Sequence, residues 1–187
     1  NKVVPILFNN TVTGKNVSLV VKKSQLNKAL NVIHGEIFGV SKKINIAIFG
    51  HGLVGGTLIN QILESADTIE KRKGIKLNVF AIANSKNLLL NKNGVSPNWK
   101  NEIQTNGFSY TIDDVIAFAN ENNMENLIAI DNTASAAFVG NYVKLAENSF
   151  DLISSNKVAN TLSYKFYKDL RKVLAENQKN YLYETNV

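Results

Sequence analysis

At 187 residues and 44% hydrophobic composition, the chain is long enough for one sizeable core and a small appendage. Its 19 Lys, 2 Arg and 28 Asn give a net charge of +6, yet the lysines are scattered and the planar guanidinium on which base and phosphate readout leans is nearly missing, which argues against a nucleic-acid partner. The absence of cysteine excludes disulfides, thiolate metal sites and thioester chemistry, and fits a reducing, cytoplasmic compartment.

There is no charged-then-apolar leader and no apolar run of about eighteen residues, so the chain reads as soluble, without a membrane partner. It opens on Asn1 rather than Met and stops at "YETNV", and so reads as a piece of a longer protein. In chain order, "VVPILF" (3–8) and "VSLVV" (17–21) predict two strands joined by the turn-like "NNTVTGKN". Ser24 is placed to cap a helix over "QLNKALNVIHGEIF", with Leu26, Leu30, Ile33 and Ile37 on one face. This β-β-α segment is too small to bury a core alone. "GVSKK", residues 39–43, is the expected joint.

From Ile44 onward strands and helices alternate. Strands are predicted at 44–49, 77–83, 127–131, 150–154 and 181–184, and helices at 53–72, 111–122, 135–148 and 160–178. Residues 85–110, with Gly94, Pro97 and Gly107, form a long excursion between them. Strands that read as unbroken apolar runs are buried on both faces, as in parallel sheets. The alternation therefore predicts an α/β fold with a doubly wound parallel sheet and right-handed crossovers.

The first of these strands runs into "IAIFGHGLVGGTL", where Gly50, Gly52 and Gly55 make G-x-G-x-x-G. The string alone is weak and suits any strand-to-helix turn. Its position, after a strand and opening a helix, makes it a dinucleotide-binding motif. Gly50 would permit the tight turn, Gly52 would let a pyrophosphate approach the backbone, and Gly55 would let helix and strand pack closely. Amides at the helix start would face the anion. His51 reads as a solvent-side spacer within this cofactor-binding loop.

The next strand ends in "IANSKN" with no acid to receive ribose hydroxyls. Asn84 and Ser85 can donate to a phosphate and Lys86 offers positive charge, which favours NADP over NAD; the plain alternative is one more surface lysine. Two further strand ends are polar. In "AIDNTASAAF", the hydroxyls of Thr133 and Ser135 could line a nicotinamide, although helix capping alone would account for one of them. In "ISSNKVANT", Asn156 and Lys157 emerge toward the same crevice, where a lysine could hold an anionic substrate or simply be solvated.

"IAIFGHGLVGGTL", "AIANSKNLLL", "IDNTAS", "SSNKVANT" and "YETNV" resemble successive blocks of the nucleotide-binding domain of homoserine dehydrogenase, most closely in its fusions with aspartokinase. The resemblance covers residues 44–187 and implies a Rossmann-like domain there. Residues 1–41 resemble, more weakly, half of an ACT-type regulatory module. The resemblance implies reversible NAD(P)H-dependent reduction of aspartate 4-semialdehyde to homoserine, in threonine and methionine biosynthesis, by an enzyme expected to be a homo-oligomer at full length.

By the same resemblance, Gly50, Gly52, Leu53, Val54 and Gly55 would hold the pyrophosphate. Thr133, Ser155 and Asn156 would contact the nicotinamide half, and Lys157 would lie beside nicotinamide and substrate. Glu184 and Val187 would match ligands of a sodium ion. The family's substrate-binding acids and proton-donating lysine match no residue here and would follow "TNV" in a second domain. The chain alone is therefore expected to fold and bind nucleotide but to turn over little substrate. A phosphorylating aldehyde dehydrogenase would need a cysteine, and this chain has none. The remaining alternative is a non-catalytic nucleotide-sensing or assembly module.

Overall fold

A computed structural model describes residues 3–10, 16–38 and 41–183. The chain divides into two compact units, Asn1–Lys42 and Lys43–Val187.

In the first unit, β1 (Leu7–Asn10) pairs antiparallel with β2 (Val17–Val20), Leu7 opposite Val20 and Asn10 opposite Val17. A 3-10 turn at Lys23–Gln25 leads into α1 (Leu26–Phe38), completing the expected β-β-α order. Ser24 does not cap α1 as expected, because it lies inside that turn. The turn already directs the Gln25 N–H to the Lys22 carbonyl and the Leu26 N–H to Lys23. Leu26 and Leu30, expected on one face of α1, are both exposed, whereas Ala29 is buried.

The second unit runs β3 (Lys42–Phe49), α2 (Leu53–Lys73), β4 (Ile75–Ala83), β5 (Leu88–Leu90), α3 (Trp99–Thr105), α4 (Ile112–Glu121), β6 (Leu127–Asp131), α5 (Ala136–Val139), α6 (Tyr142–Glu147), β7 (Phe150–Ser154), α7 (Tyr164–Glu176) and β8 (Tyr181–Tyr183). The strands form one sheet in the order β5-β4-β3-β6-β7-β8. β3 with β6, β6 with β7 and β7 with β8 are parallel, while β5 runs antiparallel to β4. One register row joins Phe49, Asp131, Ser154 and Tyr183, so the carboxyl ends of β3, β6 and β7 stop together, level with Tyr183 of β8. That shared edge positions the site.

Alternating strand residues feed two cores, as a sheet covered on both faces requires. Ala47, Phe49, Leu127, Ala129, Phe150 and Leu152 pack with Val115 of α4, Leu145 of α6 and Leu170 of α7. Ile46, Ile48 and Ile130 pack with Ile59 of α2 and with Trp99 and Ile103 of α3. The doubly wound α/β architecture is thus present.

Three local expectations need correction. The excursion at 85–110 contains β5 and α3, which anchors itself through the buried Trp99, whose Nε1 donates to Asn60 Oδ1 at 3.0 Å. The helix expected over 135–148 is two short ones. The Asn141 backbone and side-chain N–H groups both turn back onto the Phe138 carbonyl, at 2.9 and 3.1 Å, and end α5 there. The helix expected from 160 starts at Tyr164, because Ser163 Oγ accepts the Phe166 N–H and caps it; a 3-10 turn, Lys157–Thr161, precedes it.

Candidate functional site

Between β3 and α2 the chain turns through Gly50, whose φ is +85°. A Cβ at Gly50 would stand 2.8 Å from the backbone of Asn132, so the position admits neither the backbone strain nor the bulk of another residue. Gly55 is buried in the first turn of α2, where a Cβ would overlap the Gly50 carbonyl oxygen. Gly52, the N-cap of α2, differs from both: a Cβ there would meet nothing within 4 Å. Two glycines of the motif are required by packing, and the third keeps open the space before the helix mouth.

That mouth has the electrostatics of an anion site. α2 is 21 residues long, with no acid in its first turn and Lys71, Arg72 and Lys73 in its last. Its first backbone N–H groups and the positive end of its dipole therefore face the opening without a competing carboxylate. Beside the loop, Asn132 Nδ2 is buried without an acceptor among the described residues, while its Oδ1 accepts from Ser155 Oγ at 3.0 Å. Leu53 and Val54 are exposed at the start of the helix.

The opening continues into a cleft of about 1170 Å³ along the shared strand edge. Gly50, His51 and Gly52 form one wall, Asn84 and Ser85 another, and Thr133 the floor beyond β6. Phe49 and Phe138 pack with ring centroids 4.6 Å apart and give the floor an apolar face. A cleft of this size, with a glycine at its entrance and few polar groups converging on it, fits an extended dinucleotide.

At the end of β4, every polar group of Asn84 is engaged. Its Oδ1 accepts the N–H groups of Lys86 and Asn87 at 2.8 and 2.7 Å, its N–H donates to the Asn87 carbonyl, and its carbonyl accepts from the Tyr110 hydroxyl. Its Nδ2 lies 3.0 Å from His51 Nε2. The turn so ordered leaves Ser85 and Lys86 exposed. His51 is not the solvent-side spacer expected: its ring is partly buried, held by Asn84 and edge-on to Trp99 at 5.4 Å. Burial pushes the Tyr110 phenol above its ordinary pKa.

The ends of β6 and β7 are tied together by a buried polar network. Asp131 Oδ1 accepts the Thr133 N–H at 2.7 Å, and Oδ2 accepts the Tyr142 hydroxyl at 2.6 Å and Asn156 Nδ2 at 3.1 Å. Ser154 Oγ lies 2.8 Å from the Tyr142 hydroxyl and accepts the Asn156 N–H. Burial, reinforced by the hydrogen bond to Asp131, drives the Tyr142 phenol far above its ordinary pKa.

Asn156, expected at the nicotinamide, is buried with its Nδ2 on Asp131 and the Ser135 carbonyl and its Oδ1 on the Val158 N–H. It braces the loops around the cleft. Lys157 is exposed at the start of the following 3-10 turn, and neither it nor Ser155 is among the cleft walls. Ser135 caps α5 through the Phe138 N–H. Glu184 and Val187 lie outside the described residues, which include no cluster of three or more His, Cys, Asp or Glu able to hold a metal ion.

Sequence reading missed the far side of the cleft. There the capping box of α4, in which the Thr111 N–H donates to Asp114 at 2.6 Å, and a Lys144–Asp113 ion pair at 2.6 Å form the rim. Residues 113 and 144 carry no joint sequence signal. The acid that ends the apolar strand "LIAID" was a visible sign of Asp131.

Among the described residues, no helix is long and apolar enough to cross a membrane. Residues 50–184 match the family model "Homoserine dehydrogenase, NAD binding domain". The chain is similar to a bifunctional aspartokinase/homoserine dehydrogenase of Buchnera aphidicola, 38% identical over 91% of this chain and 21% of that protein. It is also similar to one of Haemophilus influenzae, 30% identical over 92% and 21%. The chain thus spans about a fifth of the length of these curated relatives. Among solved structures, its fold is similar to a hyperthermophilic archaeal homoserine dehydrogenase in complex with NADPH, with a TM-score of 0.56 and 22% identity over 76% of this chain and 44% of that one.

Proposed function

The chain belongs to the homoserine dehydrogenase family through its NAD-binding domain, and on that premise we propose that it holds NADP(H) for the reversible reduction of aspartate 4-semialdehyde to homoserine, within an enzyme fused to an aspartokinase. The observation that carries this reading is Gly52, the one glycine of the motif whose missing side chain leaves open space instead of relieving a contact.

The bound dinucleotide supplies or accepts the hydride. This chain's part is to bind and orient it. Backbone N–H groups of Gly52, Leu53 and Val54 would hold the diphosphate at the positive end of α2, with Gly50 and Gly55 keeping the loop against the sheet. The buried Asn132 Nδ2 beside that loop offers a further donor. At the end of β4, where no carboxylate stands to repel a ribose 2′-phosphate, Ser85 and Lys86 on the turn ordered by Asn84 would hold it. By the family resemblance Thr133 and Ser155 would serve the nicotinamide side and Lys157 would lie beside nicotinamide and substrate; of the three, Thr133 lines the cleft. Asn156 acts behind them by fixing both loops to Asp131.

The fused organisation draws support from the first unit. Lys43–Val187 makes up little more than three quarters of the chain, so a 91% match to the Buchnera protein must include part of residues 1–42. We read this β-β-α unit as half of an ACT-like regulatory module. The test is a chimera in which residues 43–187 replace the matching segment of that bifunctional enzyme. Homoserine-dependent NADP reduction within about tenfold of the parent supports the assignment. A folded chimera that binds no nucleotide refutes it.

A further inference from the structure

Two parts of the cleft are built separately in the sequence: the glycine loop after β3 and the Asn84–Asn87 turn after β4. One side-chain hydrogen bond joins them. Asn84 Nδ2 and His51 Nε2 are 3.0 Å apart. The roles in that bond are fixed by the far end of the amide. Asn84 Oδ1 already accepts two backbone N–H groups, from Lys86 and Asn87, which orients the amide with its nitrogen toward His51. An amide nitrogen can only donate, so Nε2 accepts and the ring proton resides on Nδ1. The ring itself is braced edge-on by Trp99, fully buried on α3.

We propose that His51, as the neutral Nδ1–H tautomer, is a positioning residue that orders the Asn84–Asn87 turn and so sets the preference for a 2′-phosphorylated dinucleotide. The preference part rests on the NADP reading above; the ordering part does not. Without an acceptor at Nε2, the buried side of Asn84 loses one of its constraints, and Ser85 and Lys86 are displayed on a looser turn. Contact with the diphosphate runs through the backbone of the glycine loop and is less affected. The consequence is selective: the imidazole matters more for NADPH than for NADH.

The test compares His51→Gln, which keeps an acceptor, with His51→Leu, which keeps bulk and removes it. Nitrogen NMR of the wild-type chain at pH 8 should show the Nδ1–H tautomer, and the Nε2–H tautomer there overturns the proposal. Exchange of the Lys86 and Asn87 amides should quicken in H51L and stay near wild type in H51Q; equal protection in both variants overturns it. NADPH affinity should fall about five- to tenfold in H51L, the scale of one hydrogen bond, with NADH falling by less than half that factor and H51Q recovering most of the loss. Parallel losses for both nucleotides contradict the role in preference. If the wild-type chain binds NADH and NADPH alike, the NADP reading fails, while the tautomer and the two amides still decide whether His51 orders the turn.

Discussion

The Tyr142 hydroxyl lies 2.6 Å from Asp131 Oδ2, beneath the strand edge that floors the cleft, and both residues are buried. The contact explains how a carboxylate can sit at the end of an apolar strand: its oxygens are taken by Thr133, Tyr142 and Asn156. Paired in this way, Asp131 joins the loops after β6 and β7 instead of facing a ligand.

Tyr142→Phe removes the shorter of the hydrogen bonds to Oδ2 and leaves the ring packing intact. A loss of about 1.5–3 kcal/mol in folding stability is expected, the range for a hydrogen bond to a charged group, read from denaturant unfolding at neutral pH. The pH dependence has a definite sign. A phenol whose folded pKa is raised keeps its proton where the unfolded chain releases it, so its contribution is whole below about pH 10 and is lost as pH rises further. Wild type should therefore lose stability above pH 10 more steeply than Y142F. A steeper decline in Y142F contradicts the assignment.

Asn156→Ala should also destabilise, by about 1–3 kcal/mol, since it strips donors from Asp131 and the Ser135 carbonyl and an acceptor from the Val158 N–H. Its effect on nucleotide affinity should follow the displacement of Thr133 and Ser155. A variant of wild-type stability with sharply reduced affinity points instead to direct ligand contact.

Gly50→Ala and Gly55→Ala test the packing roles of the motif. Each places a methyl group onto backbone that has no flexible side chain to yield, at Asn132 and at the Gly50 carbonyl. Gly50 adds the strain of a positive φ. Losses of about 1–3 kcal/mol or more are expected for each, measured by thermal and denaturant unfolding without any ligand. Unchanged stability in either variant rejects the geometry.

Lys86→Gln addresses the nucleotide preference from the ligand's side. Lys86 is exposed, so the charge it offers a 2′-phosphate is screened. A three- to tenfold loss of NADPH affinity, roughly the reach of one exposed charge-assisted hydrogen bond, is expected at low ionic strength, shrinking with added salt. NADH affinity should hardly change. Equal effects on the two nucleotides remove Lys86 from that role.

The alternation of apolar runs with amphipathic stretches was enough to place β3, β4, β6 and β7, and the glycine spacing placed the loop at the right strand end. Those features are local, and local patterns survive in the sequence. β5 was not legible because three apolar residues in a polar excursion have no period, and only pairing with β4 makes them a strand. Asn156 looked like a cleft residue because it follows a strand. Its true partners lie 21 and 25 positions away, and that proximity exists only once β6 and β7 are in register. His51 was misread for the same reason, since the residues that hold it, Asn84 and Trp99, arrive on other elements.

Gly52→Val separates binding from folding, because its Cβ would enter the open space before α2 and meet nothing within 4 Å. Calorimetric titration of the wild-type chain and this variant with NADPH, alongside their unfolding midpoints, is the decisive comparison. Wild type should bind, and G52V should retain the midpoint while losing at least about tenfold in affinity, as a blocked diphosphate approach requires. Equal affinity in the two, or no association in wild type, contradicts a dinucleotide held at the mouth of that helix.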